Sequence, residues 1–95
     1  MEIEFNLFGP LRELTDRKTV TRELPAGTTV GEALADLVDA YPGLEGVLAT
    51  ADGDLSGGVN LTKNGTNVNH LDGEATTLAD GDVLRAAPPV VGGAR

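Results

Sequence analysis

The chain has 95 residues, with 15 acidic and 7 basic side chains, a formal net charge of −8, no Cys, no Trp and one His. That length allows one domain, which buries only about two-thirds of the surface its unfolded chain exposes. Without Cys there are no thiol nucleophiles, disulfides or Cys-ligated metals; one His leaves no His-cluster metal site; and so acidic a surface repels phosphate backbones, which argues against nucleic-acid binding.

The first predicted element is a half-buried strand. From Glu2 to Leu7 the chain alternates, with Ile3, Phe5 and Leu7 on one face and Glu2, Glu4 and Asn6 on the other. Gly9-Pro10 stops it. Leu11 and Leu14 stand one helical turn apart and predict a short turn or loop. Lys18 to Leu24 is β-branched at Thr19, Val20 and Thr21 and ends at Pro25, so it predicts a second strand, joined to the first as a broad hairpin.

Val30, Leu34, Leu37, Val38 and Tyr41 then form one apolar stripe at helical spacing. Glu32, Asp36 and Asp39 point away from it and read as a solvated face. Thr29 and Glu32 have capping-box spacing, and Pro42-Gly43 ends the helix. Leu44, Val47 and Leu48 predict one more short turn, and Ala49 to Gly58 a polar, Gly-rich loop. Val59 to Lys63 and Thr66 to His70 flank Asn64-Gly65, a two-residue hairpin signal of type I′. Leu71 to Leu78 reads as irregular, with a turn at Asp72-Gly73. The last predicted strand, Val83 to Ala87, stops at Pro88-Pro89, because Pro cannot donate to a sheet ladder.

The order is strand, strand, helix, strand, strand, strand. One amphipathic helix on one face of a mixed sheet is an α+β architecture. Connection rules favour the first and last strands side by side in the sheet centre. The expected fold is therefore a β-grasp, the ubiquitin-like roll, over residues 1–87, with residues 88–95 as a free tail. Many carboxylates and only two lysines (Lys18 and Lys63) also resemble proteins that work in molar salt, where a Debye length of roughly 3 Å screens self-repulsion. No apolar run approaches the ~18 residues of a membrane span, and the N-terminus has no signal-peptide pattern. The expectation is a cytoplasmic protein with no membrane partner.

No enzyme constellation emerges. His70, at the end of a predicted hairpin, reads as a surface or structural residue. Nucleophile-elbow, Walker and dinucleotide-binding loops are absent. Asp52-Gly53-Asp54-Leu55-Ser56-Gly57 begins like a calcium loop, but its twelfth position is Lys63, where a bidentate Glu is needed. It reads as a turn in an acidic loop.

The tail remains. With 13 Gly in the chain, about two Gly-Gly pairs arise by chance, and two occur, Gly57-Gly58 and Gly92-Gly93. Only the second is informative, through its position after a strand stop and a charge-free run from Ala86. Gly lacks Cβ, so such a segment can thread a narrow channel and bring its backbone to another protein's reactive centre. On spacing alone, a frayed terminus accounts for it equally well.

Pro88-Pro89-Val90-Val91-Gly92-Gly93 resembles the ending of the molybdopterin synthase small subunit family. The opening around Leu7-Phe8, the helix start at Thr29-Val30-Gly31-Glu32-Ala33-Leu34, the hairpin Val59-Asn60-Leu61-Thr62-Lys63-Asn64-Gly65 and the segment Leu78 to Asp82 are similar to it too, and the chain resembles in particular its archaeal members, the small archaeal modifier proteins. The resemblance implies a reactant rather than a catalyst, with no bound cofactor and no metal. It implies that an E1-like enzyme uses ATP to adenylate the Gly93 carboxylate, next to Gly92, with Pro88, Pro89, Val90 and Val91 contacting the partner. The acyl group then passes to a target Lys or becomes a thiocarboxylate that serves the large subunit of molybdopterin synthase. Lys18 and Lys63 are the internal acceptors if chains form, and are otherwise solvated surface.

Two features depart from the family. Ala94-Arg95 follows Gly93, so a processing metalloprotease would have to cut between Gly93 and Ala94. Many relatives also carry an aromatic residue before Pro-Pro, where this chain has Ala87. The alternative reading is a non-covalent β-grasp interaction module with an inert tail.

Overall fold

The computed structural model describes residues 1–88. Its strands are β1 (Glu2–Leu7), β2 (Thr19–Glu23), β3 (Asn60–Lys63), β4 (Thr66–Asn67) and β5 (Val83–Ala87); its helices are α1 (Pro10–Thr15) and α2 (Val30–Ala40). The sheet order is β2-β1-β5-β3-β4. β1 and β5 run parallel in the middle, and every other neighbouring pair is antiparallel. This is the β-grasp expected from the element order.

Alternation in β1 does what its pattern requires. Ile3, Phe5 and Leu7 are fully buried, and Leu84, Ala86, Leu61 and Val20 extend the same apolar face across the neighbouring strands. Val30, Ala33, Leu34 and Leu37 of α2 close over it. Each of these large side chains contributes about 1.5–3 kcal/mol on burial. The Thr29–Glu32 capping box is formed in both directions: the Glu32 amide donates to the Thr29 hydroxyl at 3.2 Å, and the Thr29 amide donates to the Glu32 carboxylate at 2.9 Å. The Val30 amide, another donor with no partner inside the helix, reaches the Thr76 carbonyl at 2.8 Å.

Three local expectations are corrected. The Leu11–Leu14 segment is a helix, not a loop. Pro10 presets its first turn, the Thr15 hydroxyl closes its end 2.8 Å from the Arg17 carbonyl, and Leu11 enters the core while Leu14 stays exposed. Thr66 to His70 is not one strand. Pairing stops at Asn67, whose side chain accepts from the Asn69 amide at 2.8 Å, and residues Val68–His70 curl into a 3₁₀ turn that buries Val68. Asp36 is not simply solvated: its carboxylate accepts from the Arg22 Nε at 2.7 Å and pins α2 to the edge strand β2. The expected turn over Leu44, Val47 and Leu48 is present, with the Val47 and Leu48 amides both donating to the Leu44 carbonyl; Leu44 and Leu48 are buried and Val47 is exposed.

Asn64 and Gly65 both have positive φ, as a type I′ hairpin requires. The Asp52-Gly53-Asp54 segment is a turn laid on the start of α2. A Cβ on Gly53 would collide with the Gly31 carbonyl oxygen, so the loop can lie there only with Gly at position 53. No helix among the described residues is long and apolar enough to cross a membrane.

Candidate functional site

β5 ends where the tail begins, and the end of β1 holds that point in place. The Phe8 amide donates to the Ala86 carbonyl at 3.1 Å, two residues before Pro88. Gly9 follows with φ +58°, and a Cβ there would stand 3.3 Å from Pro88 Cγ. A bare backbone at position 9 therefore gives Pro88 its seat. The Leu7 amide donates to the Lys18 carbonyl at 2.7 Å, which brings the start of β2 to the same corner. Phe8 is exposed, and the Lys18 Nζ lies 5.8 Å from its ring centroid. Ala87 shares the outward face of the sheet with Val83 and Arg85, opposite Asn60 on β3. The aromatic residue that the resemblance implies before Pro88 is absent, and position 87 offers only the methyl group of Ala87.

Of the residues assigned to the tail, Pro88 is placed by the structure. Pro89, Val90, Val91, Gly92, Gly93 and Ala94 lie outside the described residues. The two candidate acceptor lysines are not brought together. Lys18 is exposed beside the tail root. Lys63 pairs in register with Leu84, at the opposite end of β5, roughly 10 Å of strand from Ala87.

Nor is Lys63 the free surface residue expected. Its Nζ is 3.5 Å from the Asp82 carboxylate, with only 22% of the side chain exposed. Asp82 is buried and accepts from the Asn64 side-chain amide and the Ala79 backbone N–H, both at 2.8 Å. Burial by itself raises the Asp82 pKa, but the Ala79 N–H, the Asn64 amide and the Lys63 ammonium together outweigh it. The group is held below its ordinary 3.8. The Asn64 side-chain oxygen meanwhile accepts from the Val83 amide at 2.9 Å, so the hairpin tip and the start of β5 are one network.

The seat for Pro88 and the Asp82 network were both missed in the sequence. Gly9-Pro10 signalled a strand stop but not the partner 79 residues away. Asp82 was one carboxylate in an Asp-Gly-Asp turn, with nothing local to mark it as buried.

A five-stranded mixed sheet covered by one main helix defines a class: small ubiquitin-like β-grasp proteins. The comparisons agree. The ThiS family model matches residues 5–93. The chain is 43% identical over 93 residues to small archaeal modifier protein 3 of Haloferax volcanii, covering 98% of this chain and all of that one. It is 36% identical over 70 residues to the sulfur carrier protein CysO of Mycobacterium tuberculosis, covering 72% and 75% of the two chains. The crystal structure of SAMP1 from Haloferax volcanii superposes with a TM-score of 0.84 at 35% identity, covering 98% of this chain and all of that one. The chain belongs to the ThiS family. It is a ubiquitin-like protein of the modifier and sulfur-carrier class.

Proposed function

We propose that this protein is consumed as an acyl donor through Gly93, after whatever follows Gly93 is removed. The family match supports the position, since it ends at Gly93 and leaves out Ala94-Arg95. That single observation carries the reading. The metalloprotease cut between Gly93 and Ala94 liberates the carboxylate.

The chemistry explains why an enzyme and ATP are needed. A carboxylate is a poor acyl donor because its oxygen leaves badly. In the proposed reaction a Gly93 carboxylate oxygen attacks the α-phosphorus of ATP on an E1-like enzyme, and pyrophosphate departs. The acyl-adenylate then loses AMP to an incoming nucleophile. A lysine ε-amine gives an isopeptide bond. A sulfur donor gives a thiocarboxylate, which would pass sulfur to a pterin precursor in the large subunit of molybdopterin synthase. Pro88 to Val91 would lie in the partner's channel. No side chain of this protein acts as a catalyst in either branch, and ATP binds the activating enzyme.

The test is adenylation. A chain ending at Gly93, given ATP and the E1-like enzyme of the same cell, releases pyrophosphate; the chain carrying Ala94-Arg95 does not. A Gly93-ended chain that is never adenylated defeats the proposal and leaves the non-covalent module. Intact mass of the native protein separates the branches, because a thiocarboxylate adds the difference between sulfur and oxygen, whereas conjugation appears as Lys-linked adducts on other proteins.

A further inference from the structure

The chain offers three amines to an acyl donor, and the fold treats them differently. The Met1 ammonium donates to the Leu24 carbonyl at 2.7 Å and lies 3.9 Å from Glu23. Lys63 is half-buried against Asp82, as described above. Lys18 is exposed and forms no ion pair with any described residue. Among the described residues its aromatic neighbour is the Phe8 ring, 5.8 Å from Nζ to the centroid, and cation–π pairs at exposed sites are weak.

We propose that Lys18 is the one site at which this protein accepts an acyl group, including that of a second copy of itself. The inference rests on the activation of Gly93 proposed above. Two requirements of the reaction select it. An attacking amine must reach a carbonyl carbon held in another protein's active site, so its whole approach must be open. It must also leave its present partners before it can shed a proton and present a lone pair. Lys63 would have to abandon a buried carboxylate, and Asp82 would then keep its charge with one fewer partner. The Met1 amine would have to break the contact that ties the chain start to Leu24. Lys18 gives up only a ring face. In the step itself the Lys18 nitrogen bonds to the Gly93 carbonyl carbon of the donor, the bond from that carbon to the adenylate oxygen breaks, AMP leaves with the electron pair, and the amine proton goes to water.

Two experiments decide it, and the first does not depend on activation. The folded full chain is treated with a limiting amount of the N-hydroxysuccinimide ester of acetate, and peptide masses give the acetylation rate of each amine. Lys18 should react roughly fivefold or more faster than Lys63, the factor that about 1 kcal/mol of ion pairing withholds. Equal rates, or a faster Lys63, overturn the proposal. In the second, the chain ending at Gly93 is incubated with ATP and the activating enzyme. Trypsin, which cuts after Arg85, leaves residues 86–93 on the acceptor lysine. The remnant should sit on Lys18, vanish in Lys18→Arg and persist in Lys63→Arg. Hydroxylamine in a parallel reaction traps the activated acyl group as a hydroxamate. If the hydroxamate forms but the remnant is on Lys63, on Met1 or nowhere, Lys18 is not the acceptor. If no hydroxamate forms, the activation of Gly93 fails, and the acetylation rates judge Lys18 alone.

Discussion

The start and the end of β5 are built in opposite ways. At its start, Asp82, Asn64, Ala79, Val83 and Lys63 are joined by short hydrogen bonds and a half-buried ion pair. At its end, the contacts are those of backbone alone: Phe8 donates to Ala86, Ala87 pairs with Asn60 and Gly9 leaves room for Pro88, beside an exposed Phe8 and an exposed Lys18. Both ends lie on the same five-stranded sheet and both carry one of the two lysines. The difference shows where a small carrier spends its order. The hairpin end is saturated with polar contacts that tie the turn to the sheet, while at the tail end the described residues leave Phe8 and Lys18 exposed.

Breaking the locked end should cost the most. Asp82→Ala strands the Ala79 N–H, the Asn64 amide and Lys63, and is expected to destabilise the fold by about 3 kcal/mol in urea titration. The same change should bring the acetylation rate of Lys63 up to that of Lys18, so a Lys63 that stays slow would break the contrast between the two ends. The pH dependence has a definite sign. Because the folded pKa of Asp82 is lowered, its contribution is complete above the ordinary value of 3.8 and is lost as pH falls below that value toward the folded one. Urea midpoints should therefore fall more steeply through that acid window in the parent protein than in Asp82→Asn.

Disturbing the open end should cost less. Gly9→Val places a β-branched side chain at φ +58° and against Pro88, and is expected to cost about 2 kcal/mol of stability. If it proves neutral, the seat assigned to the tail root is wrong. Salt acts on the whole acidic body. Raising KCl from low concentration to about 2 M screens carboxylate repulsion, and Tm should rise by a few degrees; an unchanged Tm would show that the charge is not an adaptation to salt. Phe8→Ala is the smallest perturbation, expected to change stability by less than about 0.5 kcal/mol because the ring is exposed. It should leave Lys18 at least as reactive as before.

Much of this fold was legible because its signals are local. β1 shows strict alternation, α2 shows its stripe and capping box within a dozen residues, and Asn64-Gly65 has few alternatives to a type I′ turn. Pro88-Pro89 marks the end of β5 for a similarly short-range reason, the missing N–H. Where local reading failed, a side chain had two options and a distant partner chose between them. Thr66 to His70 has strand composition, but the Asn67 side chain captures the Asn69 amide and ends the pairing. Leu11 to Thr15 is too short to announce a helix, and Pro10 and the buried Leu11 decide it. The tail was legible only as a pattern of residue types and position, and Gly92 and Gly93 lie outside the described residues.

The sequence by itself determined the α+β class, the element that covers the sheet and the place where the last strand must stop. Each follows from spacing over a few residues. Tertiary structure alone decided which carboxylates are bound and which lysine is free. Lys63 meets Asp82 because β3 and β5 pair in one register, Arg22 meets Asp36 because it shares the core-facing side of β2 with Val20, and Gly9 meets Pro88 because β1 and β5 run parallel. A strand's partner and register are set by the total burial of the sheet. Nothing within reach of Lys18 or Lys63 in the sequence could have told the two apart.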